Sequence, residues 1–497
     1  MQNYNQQLLI FMDILNKTIK KLSEEEYQEL LNAVSGKKRN KPFIVLENAR
    51  TDHKSDSEMM EILQVNPSAY YTLKSRLNDK IASLFSKNVQ SPVNVLMNEV
   101  TKVPAHLYGT NRDFSVRALI DLEKQLIEYD LSSELIIVYK TLAQLHLFTD
   151  DYSYYDNLYK KHVAFSLAVT KAEGKFFQFI RLLGQYGLKM DDKTLEDIVI
   201  LKRELLNICE MYDSHRLFVI YNIVNIYYQC SIMEKREGLK SQEIEIEKTL
   251  NEITSIFTKY SQDTFYQNIN FIVDFLNFEY YQKTNNQVRA DFYYDKVKSI
   301  MPSICNKHFV HFFITQFLKS KIEKYLNDND AAVLCDMDDL LGTSTDIGIH
   351  EAYHYITMRK FLAVSKFYNR DFSGAAKTIN DLRNSMSLKK YLYTDVECKL
   401  FQALQYCMMG EDGLCQQLIA SVKRQLMGLE NEWEAAFIFI KMLKTALKPT
   451  DFRKKIKRIN DLWAEFNLKN TGKNQLLKFL KLEETYLRKM SNPIKEQ

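Results

Sequence analysis

Apolar residues recur at three- and four-residue spacing through nearly the whole chain, interrupted only by short polar stretches. From about residue 112 to 490 this periodicity predicts consecutive helices. The breaks are brief: "TDDYS" (149–153), "KTNNQ" (283–287), "NDND" (327–330), "NRDFSG" (369–374) and "GEDG" (410–413). Upstream, residues 5–22 have an amphipathic helical pattern, and "SEEEYQELLNAVSG" follows with Ser23 and Glu26 at capping-box spacing and Gly36 as a stop. Three short helical stretches come next, at 42–50, from Ser55, and over 67–86. Ser55 and Glu58 repeat the capping-box spacing, while Asn66 is a good N-cap with Pro67 at the first helical position. Residues 89–111, beginning "VQSPVNVLMNEVTKVP", read as a linker with a little helix. The predicted organisation is therefore a helical domain over 1–88, a linker over 89–111 and a helical array over 112–490.

Composition supports an all-α chain. Of 497 residues only 13 are glycine and 7 proline, with no proline between Pro104 and Pro302, whereas sheet-rich domains need frequent turn residues. The 30 tyrosines and 29 phenylalanines suit packing between helical layers. Seven scattered cysteines, never spaced C-x-x-C, fit a reducing compartment. The start "MQNYNQQLLIFMDIL" lacks a basic leader region, and no window approaches the roughly 18 apolar residues of a membrane span. A cytoplasmic location with no membrane association is expected.

Charge is concentrated. Residues 36–88 hold ten Lys/Arg against six Asp/Glu, so this segment's net +4 equals that of the whole chain. Such a concentration is what a nucleic-acid-contacting module requires.

The stretch "SDSEMMEILQVNPSAYYTLKSRLNDKI" (55–81) resembles the helix-turn-helix of LuxR-type and sigma-factor region-4-like DNA-binding domains. Set against that motif, Ser55–Leu63 is the supporting helix, Gln64–Asn66 the turn, and Pro67 the start of the recognition helix, the whole motif reaching residue 86. Gln64 stands where the family usually has a glycine, and Met60 where it has a small residue. Val65, Tyr70, Leu73, Leu77 and Ile81 form the expected buried face. The exposed face is expected to carry Ser68, Tyr71, Thr72, Lys74, Ser75 and Arg76. In such motifs the start of the second helix enters the major groove. Lys74, Arg76, Lys80 and the loop "KKRNK" would neutralise phosphates, so the resemblance implies DNA as a partner through residues 37–86.

The array resembles tetratricopeptide repeats. "FLAVSKFYNRDFSGAAKTINDL" places Ala363 and Ala375 on either side of a turn, and "FQALQYCMMGEDGLCQQLIASV" does so with Ala403 and Cys415. The pairs Ala143/Tyr155 and Phe278/Ala290 keep the same twelve-residue offset. The resemblance implies an α-solenoid that binds a peptide or protein partner or mediates self-association, a homodimer included.

One motif invites a different chemistry. His350, Glu351 and His354 spell H-E-x-x-H, the zinc-protease signature. No third histidine follows at the extended-motif spacing, Thr357 stands in its glycine position, and no strand is apparent nearby. A zinc hydrolase is therefore the third reading, behind a DNA-binding regulator and an interaction scaffold without DNA binding. "CDMDD" (335–339) lacks calcium-loop spacing, and no phosphate-binding glycine loop or nucleophile elbow occurs. No cofactor, metal or catalytic residue is expected, and the chain is read as a non-enzyme.

Overall fold

The computed structural model describes residues 19, 24–35, 40–50, 54–87, 92–109, 111–232, 243–304, 311–328, 334, 351–449, 451–471 and 475–492. Among the described residues the chain is all-helical and carries no strand. The expected helix at 5–22 apart from Ile19, the loop "KKRNK" up to residue 39, and His350 fall outside them.

The first helices are α1 (Glu24–Ser35), α2 (Lys41–Arg50), α3 (Asp56–Leu63) and α4 (Pro67–Lys87). Their apolar faces meet in a small core that includes Leu30, Leu46, Met59, Leu63, Tyr70 and Leu77. The capping box is present: the Glu58 amide donates to Ser55 Oγ, and the Ser55 amide donates to Glu58 Oε2 at 2.7 Å. Asn66 Oδ1 accepts from the Ala69 amide at 2.8 Å and starts α4.

The stretch expected to be a linker is structured. Residues Pro92–Lys102 form α5, followed by a 3-10 turn over Val103–Tyr108. Val93, Leu96, Val100 and Val103 are buried there with Leu119, Leu126, Leu135 and Leu142 in a second core. The apolar side chains at i, i+3 and i+7 override the two prolines, which sit at or near helix starts where a missing N–H costs little. The rest of the second core comes from α6 (Arg112–Glu128), α7 (Ser132–Leu145) and the first turns of α8 (Tyr152–Lys189).

Helix α8 has 38 residues, about 57 Å at 1.5 Å per residue. It places Tyr155 in the second core and Phe165, Phe176, Phe179 and Leu183 in the third and largest. That core continues through α9 (Asp192–Glu210), α10 (His215–Ser231), α11 (Glu243–Lys259), α12 (Thr264–Lys283), α13 (Gln287–Ile304), α14 (His311–Asp328) and α15 (Ala352–Tyr368). It is completed by α16 (Phe372–Ser385), α17 (Leu392–Met409), α18 (Asp412–Gln425), α19 (Glu434–Ala446), α20 (Phe452–Lys469) and α21 (Glu484–Ser491).

Successive helices pack as hairpins, and two of the polar breaks show how helices start and end. Asp371 in "NRDFSG" caps α16 through the Gly374 amide at 2.7 Å, and Gly410 in "GEDG" ends α17 in the left-handed region (φ 74°). Ala363, Ala375, Ala403, Cys415, Phe278 and Ala290 are all buried between paired helices.

Two features tie distant parts of the array together. The α8 carbonyl of Leu188 accepts from Thr394 Oγ1 on α17 at 2.9 Å. The non-helical segment 475–482 runs back across α14, α15 and α17. Within it the Leu477 amide donates to Glu397 at 2.9 Å, Phe479 O accepts from Tyr368 Oη at 2.7 Å, and Lys481 Nζ donates to Leu326 O at 3.2 Å.

Candidate functional site

Two places carry chemistry beyond packing. The first is the pair α3–α4. The turn between them holds Gln64 in the left-handed conformation (φ 50°, ψ 54°), where the resembled motif uses glycine, and its N–H closes α3 onto Glu61 and Met60. Ser68, Thr72, Ser75, Arg76 and Lys80 are exposed as expected, and Tyr71 is half-buried against Tyr70. Arg76 and Lys80 make no side-chain hydrogen bond or ion pair among the described residues.

Lys74 departs from the expected exposed face. It is 6% exposed, and its Nζ lies 2.9 Å from Asp56 Oδ1 on α3. Tyr70 Oη donates to the same carboxylate oxygen at 3.1 Å. Burial, followed by the Asp56 charge and hydrogen bond, raises the Tyr70 pKa and keeps the phenol protonated. Lys74 therefore locks the two helices together, and the outward-facing cations of the expected set reduce to Arg76 and Lys80.

The second place is a cavity of about 280 Å³ inside the third core, which sequence reading did not identify. It is walled by α8, α10, α12, α14, α15, α17 and the returning segment at Lys478–Phe479. Its apolar wall includes Leu183, Phe275, Ile322 and Phe361, and its polar wall carries three glutamates and four lysines. Two of the glutamates are fully engaged. Glu397, 2% exposed, pairs with Lys360 and also accepts from Tyr393 Oη at 3.3 Å and the Leu477 amide. Glu279, 4% exposed, accepts from Ser320 and pairs with Lys283 at 3.4 Å. Burial opposes the charges on Lys283 and Lys360, but their carboxylate partners outweigh it and raise both pKa values.

The third glutamate, Glu323, faces the lumen and makes no hydrogen bond or ion pair among the described residues. Its side chain keeps solvent exposure; desolvation by the surrounding helices, and then repulsion from Glu279, raise its pKa, while Lys283, Lys478 and Lys319 pull it down. Lys319 is anchored by donating to Tyr353 Oη at 2.7 Å, and Gln316 donates to the same oxygen.

Tyr353 lies inside "HEAYH" and, among the described residues of that motif, is the one that enters the cavity. The helix begins at Ala352, so Glu351 is its N-cap residue rather than an in-helix ligand. His354 Nε2 stands 3.8 Å from Glu351, and its Nδ1 is 3.3 Å from Thr315 Oγ1. Among the described residues no group of three or more His, Cys, Asp or Glu is placed to hold a metal ion, and no helix is long and apolar enough to cross a membrane. The five described cysteines are free, and burial pushes the Cys230 and Cys398 thiols up to about 12.

No protein-family model matches the chain, and no curated protein or solved structure matches it.

Proposed function

We propose that the chain is a cytoplasmic, DNA-binding regulator whose tetratricopeptide-like helical array binds a peptide or protein partner. The observation that carries this reading is the local grammar of residues 55–81. A capping box, a left-handed turn residue and an Asn-Pro start hold two helices as a helix-turn-helix would. They leave hydroxyls at Ser68, Thr72 and Ser75 and free cations at Arg76 and Lys80 on one exposed face. Hydroxyl and basic groups at the start of such a helix suit base edges and phosphates. Partner binding in the array would alter how this module is presented, for example through the geometry of a homodimer.

The competing reading is an interaction scaffold without DNA binding, and the engagement of Lys74 by Asp56 favours it by thinning the positive face. Fluorescence anisotropy of the full chain with mixed-sequence duplex DNA separates the two. Binding is expected at about 50 mM salt and to weaken steeply towards about 200 mM. Arg76→Ala and Lys80→Ala should each flatten the log–log salt slope by about 0.9, the loss of one phosphate contact. Absence of binding at low salt, or slopes unmoved by both substitutions, rejects the regulator reading.

A further inference from the structure

A denser positive stretch than residues 36–88 lies in the C-terminal part of the array. From Lys423 to Arg458 the chain holds ten Lys/Arg against four Asp/Glu, a net +6 over 36 residues. Three of the four acids are engaged locally. Glu434 pairs with Lys469 at 3.2 Å, Asp451 caps α20 through the Arg453 and Lys454 amides, and Glu430 accepts from the Gly428 amide. None of the ten basic side chains has a carboxylate partner among the described residues.

Packing gathers these cations on three neighbouring helices. On α19, Phe439, Leu443 and Ala446 are buried, which leaves Lys441, Lys444 and, just past its end, Lys448 exposed at three- and four-residue spacing. Helix α20 folds back on α19, with the Phe439 and Phe466 rings 5.2 Å apart and Lys455 Nζ donating to Ala446 O at 3.1 Å. The first turns of α20 therefore lie beside the last turn of α19. There Arg453 and Lys457 stand one turn apart on the side opposite the buried Ile459, Leu462 and Phe466, and Asp461 ends the positive run. On the other flank, the Lys423 ammonium of α18 comes within hydrogen-bonding reach of Lys444. That contact, then slight desolvation and the Lys423 charge, lower the Lys444 pKa.

Like charges held this close repel, and nothing among the described residues offsets them. An anion from outside does. The cations spread over three helices instead of lining a cleft, which suits an extended polyanion better than a small one. Lipid is a poor fit, because an interfacial helix inserts its apolar face and that of α20 is spent on the core. Duplex DNA presents one phosphate charge per about 1.7 Å of axis, so side chains about 5–6 Å apart on a helix each find one.

We propose that the α18–α20 end of the array is a second nucleic-acid surface, which grips the phosphate backbone of duplex DNA without reading its sequence. It goes beyond the helix-turn-helix reading and stands on residues which that reading does not use. Since Lys74 is engaged by Asp56, the array supplies more phosphate contacts than the N-terminal pair Arg76 and Lys80.

Fluorescence anisotropy of the full chain on mixed-sequence duplexes, between about 50 and 200 mM salt, tests the assignment. Lys444→Gln and Lys457→Gln should each flatten the log–log salt slope by about 0.9, and together by about twice that. The double variant should bind every duplex at least tenfold more weakly at low salt, with the parent's melting temperature. Arginine at both positions should restore binding. Lys193→Gln on α9, also exposed, should leave slope and affinity unchanged. No duplex binding at low salt, a slope unmoved in the double variant, or an equal loss in Lys193→Gln overturns the proposal. So does a double variant that keeps its duplex affinity but loses binding to anionic vesicles or poly-L-glutamate, which assigns the surface to lipid or to an acidic protein. Arg76→Ala and Lys80→Ala are read in the same assay, so each surface can fail while the other stands.

Discussion

Lys74 Nζ on α4 lies 2.9 Å from Asp56 Oδ1 on α3, and both side chains are largely buried. The pair, with Tyr70 Oη on the same oxygen, fixes the crossing of the two helices. Removing one partner leaves a charge short of its hydrogen bond, which costs more than the pair contributes. Lys74→Ala is expected to destabilise the N-terminal module by about 2 kcal/mol. Lys80→Ala, on the exposed side, should change it by less than about 0.5 kcal/mol. Urea denaturation of both variants, followed by circular dichroism, checks this. Equal midpoints would mean that the Lys74–Asp56 contact is not formed in solution.

Gln64 supplies the second expectation. Its φ of 50° and ψ of 54° place a side chain where glycine is comfortable, and the side chain itself is exposed, so nothing holds it there by packing. Relief of the left-handed conformation exceeds the extra unfolded-state entropy of glycine when φ is positive. Gln64→Gly should therefore stabilise the module by about 0.5–1 kcal/mol. A lower denaturation midpoint in this variant would contradict the turn geometry.

These two positions show what the sequence held and what it hid. Helix placement was legible because apolar spacing and caps are local: Ser55, Asn66, Asp371 and Gly410 act within their own turns. Lys74 was misplaced although a signal existed, since it stands at i+4 from Tyr70 and i−3 from Leu77, on the apolar stripe itself. Its burial needs Asp56 on another helix, and pattern reading does not supply partners. The cavity was less legible still. Glu279, Glu323, Glu397 and Lys478 are spread over two hundred residues and meet only through tertiary packing. The available hint was compositional: Glu279 and Glu397 sit in helices buried on nearly every face, where a lone carboxylate demands an explanation.

Two glycines of α8 give a paired test of the cavity wall. Gly184 and Gly187 face the Tyr353 ring, and a methyl group on Gly187 would stand 2.7 Å from Tyr353 Cε2. The ring cannot swing freely because Gln316 and Lys319 hold its hydroxyl. Alanine improves helix propensity by about 1 kcal/mol, but overpacking a fixed aromatic costs about 1–3 kcal/mol, so the clash prevails or at best cancels. Gly187→Ala should lower the melting temperature or leave it unchanged. Gly174→Ala in the same helix, where an added methyl group meets nothing within 4 Å, should raise it. Stabilisation of both variants to the same extent would place Tyr353 away from α8.

Three of the described histidines weaken the fold in acid. Burial lowers the pKa of His146, His162 and His215; Arg112 adds to the effect on His146, Lys161 adds to that on His162, and Asp130 opposes it at His215. Each folded value lies below the ordinary 6.5, so beneath that pH the unfolded chain binds more protons than the folded one. Stability therefore falls as pH drops through about 6.5 and keeps falling until the folded-state values are passed. His162 isolates one contribution, because its Nδ1 is buried without a hydrogen bond and its ring lies 4.8 Å from that of Tyr139. His162→Phe keeps the ring contact and removes the titration. Its melting temperature should stay close to the parent's at pH 8 and exceed it at pH 5.5, giving a shallower dependence between them. Parallel curves for the two proteins would show that His162 is solvated and titrates normally.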